Sequence, residues 1–385
     1  MDEIALAWLL WGALSILLYT YGGYPLVLAM VGRRDKGIPT LRDFPKVSVV
    51  VAAHNEERCM AQKVRNVLEH DYPPDRLELI VVSDGSTDRT EAIVHALDEP
   101  RVRLMRQPQQ QGKNAALNRG IAVARGDVVV FTDASALLTP GALQRLLAPF
   151  REPAVGLVSG QGYYGTLGND TTQVVSNAYV RYESFIKRHE ASLGFIAAAD
   201  GALYAMRREL CRALPVTQVH DLLHPIDVAR EGYRSVFVPE AFTVEPPSHD
   251  AKSEYRRHVR IIAQGIVVFL AQTPRLLSQG CFTEWWMLLS HRFLRWISSM
   301  FLLVAFVANV ALARSHPIYA VLMTGQLAFY TLALGGAVGE RRKVPLRLLA
   351  VPYYFCVVSL AGFEGALRFL SGRKQAAWVP TGGAR

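Results

Sequence analysis

Four short polar stretches in this 385-residue chain carry side chains suited to a charged, phosphorylated ligand. The first is Ala53-His54-Asn55-Glu56-Glu57 and the second is Ser83-Asp84-Gly85-Ser86-Thr87-Asp88. In the second, Gly85 permits a tight turn, and Ser86 or Thr87 can cap the helix that follows. The third, Gly112-Lys113-Asn114-Ala115-Ala116-Leu117-Asn118-Arg119-Gly120, sets a glycine and a lysine at the opening of a helix. Backbone N–H groups and a cation at such an opening favour an anion. The fourth, Thr132-Asp133-Ala134-Ser135, adds a carboxylate. Taken singly, the acidic turn is equally a loop with a cap, and Lys113 is more often a solvated surface lysine. Acidic strand ends beside an anion-binding helix start suggest a nucleotide diphosphate held with a divalent metal.

The elements that must position these residues are legible as alternating runs. Val47–Ala53, Leu77–Ser83, Val102–Arg106 and Val128–Thr132 are apolar runs of strand length. Helix-like segments fall between them near Glu56–Glu69, Asp88–Leu97 and Asn114–Ala124. This alternation, between about Pro45 and Ala263, predicts an α/β domain with a parallel, doubly wound sheet. Ligands of such sheets bind outside the carboxyl ends of the strands.

Composition narrows the class. Apolar residues make up 51% and charged ones 19%, against about 25% charged in soluble proteins. That excludes a disordered chain and argues against a purely soluble one. The net charge of +9 admits nucleic acid, an acidic membrane surface or a phosphate-bearing substrate. No recognition motif or dense basic stripe supports a nucleic-acid partner. Cys59, Cys211, Cys281 and Cys356 are far apart, without metal or disulfide spacing, and read as reduced thiols.

From Ile4 to Val31 no residue is charged, and about 20 apolar residues suffice to cross the hydrocarbon. The acidic start Met1-Asp2-Glu3 and the lack of a small-residue cleavage site mark a retained anchor rather than a signal peptide. Trp296–Ala313 and Ser315–Gly339 are further candidate spans, and Leu348–Phe363, with Pro352 inside, is a weaker one. Trp285 and Trp286 sit where an interfacial aromatic belt would lie. Val259–Leu277 suits either a helix in the membrane plane or a buried helix of the soluble domain. Arg33, Arg34, Lys36 and Arg42 follow the first span, and Arg341, Arg342, Lys343 and Arg347 lie between the last two. The positive-inside rule puts both groups, and the domain between them, in the cytoplasm of a multi-pass protein of the cell membrane. Four full spans would leave Arg373 and Lys374 outside, unless the last segment does not fully cross. The expected division is an anchor and basic linker over residues 1–43, a catalytic domain over 44–262, interfacial helices over 263–295 and a membrane region over 296–385.

In order and spacing these motifs resemble the family 2 glycosyltransferases of GT-A fold, in the membrane-embedded branch of cellulose, chitin, hyaluronan and poly-N-acetylglucosamine synthases. The resemblance covers roughly Val47 to Gly265. It implies a mixed GT-A sheet flanked by one N-terminal and two or three C-terminal membrane helices. Ala53, Glu56 and Asp84 would hold the uridine of a UDP-sugar, and Lys113 would lie near the diphosphate. Asp133 matches the first aspartate of the family's DxD, which meets the diphosphate and its Mg2+ or Mn2+. Ser135 takes the second position and is a weaker ligand than a carboxylate. Asp200 and Gly201 of Ala199-Asp200-Gly201-Ala202-Leu203-Tyr204 match the acceptor-side segment. In His220-Asp221-Leu222-Leu223 the family's acidic pair is His220-Asp221, which makes Asp221 the general base; without the resemblance it would read as a helix N-cap. Arg257-His258-Val259-Arg260-Ile261 stands where the synthases carry QxxRW. Arg260 matches the arginine and could grip the leaving diphosphate. Arg257 replaces the glutamine on the acceptor side, and Ile261 removes the aromatic platform, which weakens the case for a processive polymerase.

Base and leaving group on opposite faces of the sugar imply in-line displacement with inversion. The expectation is therefore transfer from a nucleotide sugar to a growing glycan or lipid-linked acceptor, with polysaccharide synthesis as the role. Alternatives are a single-sugar transferase acting on polyprenyl phosphate or another lipid, a non-catalytic nucleotide-binding subunit, and a transporter. The transporter reading is disfavoured because Glu364 is the only clear ionisable residue near a span.

Overall fold

The computed structural model describes residues 2–32, 43–164, 171–216, 218–245, 251–342 and 347–371. The basic positions Arg33, Arg34, Lys36, Arg42, Lys343, Arg373 and Lys374 lie outside them. Helix α1, Glu3–Leu18, passes through a π-helical turn at Tyr19–Gly23 into α2, Tyr24–Val31. An alternating stretch follows: β1 Val47–Ala53, α3 Met60–Leu68, β2 Leu77–Asp84, α4 Thr90–Ala96, β3 Val102–Gln107, α5 Lys113–Val123 and β4 Val128–Thr132. Next come β5 Leu137–Leu138, α6 Ala142–Leu147, β6 Val155–Tyr164, α7 Thr171–Ser192, β7 Leu203–Arg207, α8 His220–Arg230 and β8 Arg234–Glu245. The C-terminal part holds α9 Ala251–Ser278, α10 Phe282–Leu288, α11 Leu294–Trp296, α12 Ser298–Leu312, α13 Pro317–Arg341 and α14 Arg347–Leu370.

The strands form one mixed sheet in the order β3-β2-β1-β4-β7-β6-β8-β5. Strands β3, β2, β1 and β4 are mutually parallel, and the mainly apolar β1, β2 and β4 are covered on both faces while β3 is the edge strand. The parallel expectation stops there. Strand β7 runs antiparallel to both β4 and β6, and β5 antiparallel to β8. Sheet order reverses between β1 and β4, so the crevice at their carboxyl ends is the ligand-binding position of such a sheet.

Alternation along β1 feeds two cores. Val50 and Ala52 pack toward Ala116 and Leu117 of α5, while Val49, Val51 and Ala53 pack toward Met60 and Val64 of α3. The layer over α5 continues into Val268, Phe269 and Leu276 of α9 and Leu288 of α10. That contact ties one side of the Val259–Leu277 stretch to the domain core. The helix is also long and apolar enough to cross a membrane over Tyr255–Ser278, as are Glu3–Val31, Pro317–Arg341 and Leu349–Leu370. Helix α12 has 15 residues, about 22 Å at 1.5 Å per residue, short of the roughly 30 Å hydrocarbon. With Phe282–Trp296, bent from it by 57°, it can make one broken span. Leu10 and Ala13 of α1 pack on Ala305, Ala308 and Leu312 of α12, small residues letting the backbones approach.

A buried polar network fastens these helices to the domain. Tyr24 Oη donates to Glu190 at 2.5 Å, His291 bridges Glu190 (2.8 Å) and Glu183 (3.2 Å), and Arg295 pairs with Glu183. Trp286, expected in an aromatic belt, turns inward instead: its ring meets Tyr24 edge-on and its Nε1 donates to Tyr19 Oη at 2.8 Å.

Candidate active site

The loops after β1 and β2 are laced together. Asn55 takes a left-handed φ of 57°; its N–H donates to Ser86 Oγ at 3.1 Å and its Oδ1 accepts from Thr87 N at 2.8 Å. Gly85, at φ 66°, leaves no room for a side chain, since a Cβ there would stand 2.6 Å from Gln110 N. Asp84 is fully buried and accepts from Gln111 N (2.7 Å) and Gly112 N (2.9 Å). Such bonds to a charged group are worth about 1.5–3 kcal/mol each. Asp84 thereby fixes the turn that presents Gly112 and Lys113 at the start of α5.

Both asparagines of that motif tie α5 to the chain before α8. Asn114 Nδ2 donates to Pro215 O and Gln218 O, each at 2.7 Å, and Asn118 exchanges two 2.8 Å bonds with Leu214. The segment delivering Asp221 is therefore locked to the helix that carries Lys113. Sequence reading found these asparagines but not their task.

A cavity opens at the switch point. Of the expected residues Glu56, Lys113, Asp133, Ser135, Gly201, Asp221, Arg257 and Arg260 line it. Ala53 does not: the two-residue period turns it into the α3 core, and Ala52 takes the wall instead. Asp84 stands behind the wall, holding it. Asp200 is also off the wall, its carboxylate accepting from Gly162 N (2.8 Å) and Ala202 N (3.1 Å), which shapes the loop before Gly201. Glu245, at the end of β8, and Gln264 line the cavity unforeseen. Arg257, Arg260, Ile261 and Gln264 share one face of α9, as their spacing dictates.

Charges inside the cavity are strongly shaped. Lys113 Nζ forms an ion pair with Asp133. Behind Asp133, Lys63 is fully buried, donating to Thr132 Oγ1 at 2.9 Å and to Ala136 O. Burial draws Lys63 down to about 7. Asp221 sits against Gly201, and burial raises its carboxyl above the usual aspartate range, with Lys113 opposing. Its Oδ1 has no hydrogen-bond partner among the described residues. Burial, then the charge of Lys113, holds His220 well below the usual histidine range, so it is neutral. Tyr204 stacks on Phe131 at 4.7 Å and shares a 2.9 Å hydrogen bond with His224 Nδ1, a rigid floor beneath His220 and Asp221.

Asp133 and Ser135 offer hard oxygen ligands, the type that Mg2+ and Mn2+ take. No group of three His, Cys, Asp or Glu side chains is gathered for a metal among the described residues. A divalent ion here would thus share its coordination with the ligand's phosphates, as Mg2+ commonly does.

Residues 48–214 match the family described as glycosyl transferase family 2. Over 277 residues the chain is 28% identical to a probable glycosyltransferase, YdaM, of Bacillus subtilis, covering 66% of this chain and 64% of that protein. Over 117 residues it is 38% identical to a beta-monoglucosyldiacylglycerol synthase of Synechocystis sp., covering 29% of this chain and 24% of that protein. The chain thus spans less than two thirds of the length of these relatives. Among solved structures, the mannosyltransferase PcManGT of Pyrobaculum calidifontis, in complex with GDP-Man and Mn2+, superposes with a TM-score of 0.71 at 23% identity. That alignment covers 96% of this chain and 98% of that one and establishes a common fold. The sheet with its switch-point cavity and the family match lead to one assignment: the chain carries a family 2 glycosyltransferase domain of GT-A fold.

Proposed function

We propose that the protein is a membrane-bound, inverting glycosyltransferase that moves one sugar from a nucleotide-sugar donor, UDP-linked by our reading, to a lipid-borne acceptor. One observation carries this reading: Asp221 and the Lys113–Asp133 pair line a single cavity, one of whose walls is α9. That helix bears Arg257 and Arg260 at the cavity and forms the apolar stretch Tyr255–Ser278 beyond. An acceptor anchored in the bilayer would reach the base along it.

Glu56 would bind the nucleoside, with Asp84 and Ala53 supporting the loops around it. Lys113 and Arg260 would neutralise the diphosphate. Asp133 and Ser135 would hold Mg2+ or Mn2+, which when bound supplies Lewis-acid stabilisation of the leaving group. Asp221 would take the proton of the acceptor hydroxyl, its raised pKa making it a stronger base than an ordinary aspartate. Asp200 and Gly201 would shape the acceptor side, where Arg257 would meet the incoming group. Ile261 offers no ring for a sugar to stack on, which favours single transfer over chain extension. The basic loops of the sequence would set the domain on the cytoplasmic face of the cell membrane.

The test is release of nucleoside diphosphate by the purified full chain in lipid nanodiscs, across UDP- and GDP-sugars, with Mn2+ or EDTA and extracted lipids as acceptors. Metal-dependent release from one donor, with the sugar recovered on lipid, supports the reading. Sugar recovered only on soluble glycan contradicts it.

A further inference from the structure

Glu245 has no role in the account above, yet it is placed to have one. It is the last residue of β8, only 9% exposed, and it lines the same cavity as Asp133 and Ser135. Its carboxylate has no hydrogen-bond partner among the described residues. Burying a carboxylate without hydrogen bonds costs several kcal/mol, so the side chain is kept for something the cavity receives.

Strand register fixes what it faces. Leu138 pairs with Thr243 and Leu137 with Val244 in the antiparallel β5–β8 ladder. The ladder ends at that pair, so Ala136 and Glu245 are the residues next in line, while on its other side Glu245 pairs with Tyr164 of β6. Ala136 belongs to the Asp133 turn, since its N–H donates to Asp133 O at 3.2 Å and its carbonyl accepts from buried Lys63. The fold therefore holds the turn bearing Asp133 and Ser135 against the end of β8. Glu245, Asp133 and Ser135 line one cavity there. Two carboxylates held together in a buried cleft repel each other until a cation separates them.

We propose that Glu245 is the second carboxylate ligand of the divalent metal and stands in for the carboxylate that Ser135 lacks. The inference rests on the nucleotide-sugar reading of this cavity. It assigns the ion to Asp133 from the end of β4 and Glu245 from the end of β8, with Ser135 contributing at most a hydroxyl. A binding site split between two strand ends would close only in this tertiary fold, which is why no local motif announces it.

The experiment titrates Mn2+ into the full chain in nanodiscs with UDP, and separately with GDP, reading free Mn2+ by electron paramagnetic resonance. Glu245→Gln should raise the Mn2+ Kd at least about tenfold, the scale of losing a group that supports a bound metal. Adding Ser135→Asp to Glu245→Gln should recover most of that loss by restoring a second carboxylate. Recovery also shows that the single variant is folded. An unchanged Kd in Glu245→Gln overturns the inference and leaves the functional reading standing. Loss without recovery also overturns it, since a carboxylate that merely balances nearby cations gives that pattern. Failure of the unaltered chain to bind Mn2+ with either diphosphate defeats the functional reading itself.

Discussion

Gly201→Ala probes the position of the base without touching its chemistry. Gly201 is not among the glycines with positive φ, so alanine fits its backbone. The added Cβ would stand 3.0 Å from Asp221 Oδ2 and 3.7 Å from its Cγ. An ordinary contact is about 3.5 Å, so the carboxylate must give way by roughly 0.5 Å. Misplacement by 1 Å costs about a hundredfold in rate; half of that displacement, taken logarithmically, costs about tenfold, or about 1.4 kcal/mol of activation free energy. Glycine-to-alanine exchange stabilises by about 0.4–1 kcal/mol at an unstrained position, and a thermal melt of the variant separates a displaced base from a loss of fold. The assay is kcat by diphosphate release at saturating donor and metal, with the donor KM measured alongside. The expected result is a kcat about tenfold lower at an unchanged donor KM. A kcat within twofold of the parent chain refutes the placement of the base against Gly201. A raised donor KM with unchanged kcat would put Gly201 on the donor side instead.

Two further outcomes follow from the same charges. Asp221 must be ionised to accept a proton, and burial lifts its pKa above the ordinary 3.8. Activity should therefore rise with pH through a value higher than that, and a kcat profile flat down to 3.8 contradicts the assignment. Lys113→Met removes the cation paired with Asp133. It should lower kcat/KM about a hundredfold while binding of the free nucleoside, read by calorimetry, stays the same; activity within twofold would remove Lys113 from the diphosphate site.

The parts legible in the sequence are those where local pattern and fold agree. Strands β1 and β4 begin and end where their apolar runs do, because a strand covered on both faces admits a polar side chain only where it is hydrogen-bonded, as Ser48 is to Glu78. Asp133 and Lys113 were legible as cavity residues because strand ends and helix starts are where such a sheet exposes side chains, whereas Asp221 came only from the resemblance. Ala53 packs behind the wall that Ala52 lines, since a resemblance fixes a motif but the two-residue period decides which neighbour faces the cavity. The reversed direction of β7 depends on a long connection through α7 that carries no directional mark. Lys63 and Glu245 escaped notice because a lysine on a helix and a glutamate at a strand end are usually solvated. Long-range pairings, β6 with β8 and β5 with β8, give Glu245 its neighbours. The Glu183–Glu190–His291–Arg295 network was likewise hidden, its members being spread over α7 and the helices after α9.

The central claim is that Asp221 is the base of a metal-assisted sugar transfer. Its most direct test compares the full chain with Asp221→Asn, a near-isosteric change, in nucleotide binding and in sugar transfer under identical conditions. The account predicts that transfer falls by about a hundredfold to ten-thousandfold, the range of general-base catalysis, while affinity for the nucleoside diphosphate with Mn2+ is retained. Transfer at the parental rate with nucleotide still bound would contradict it.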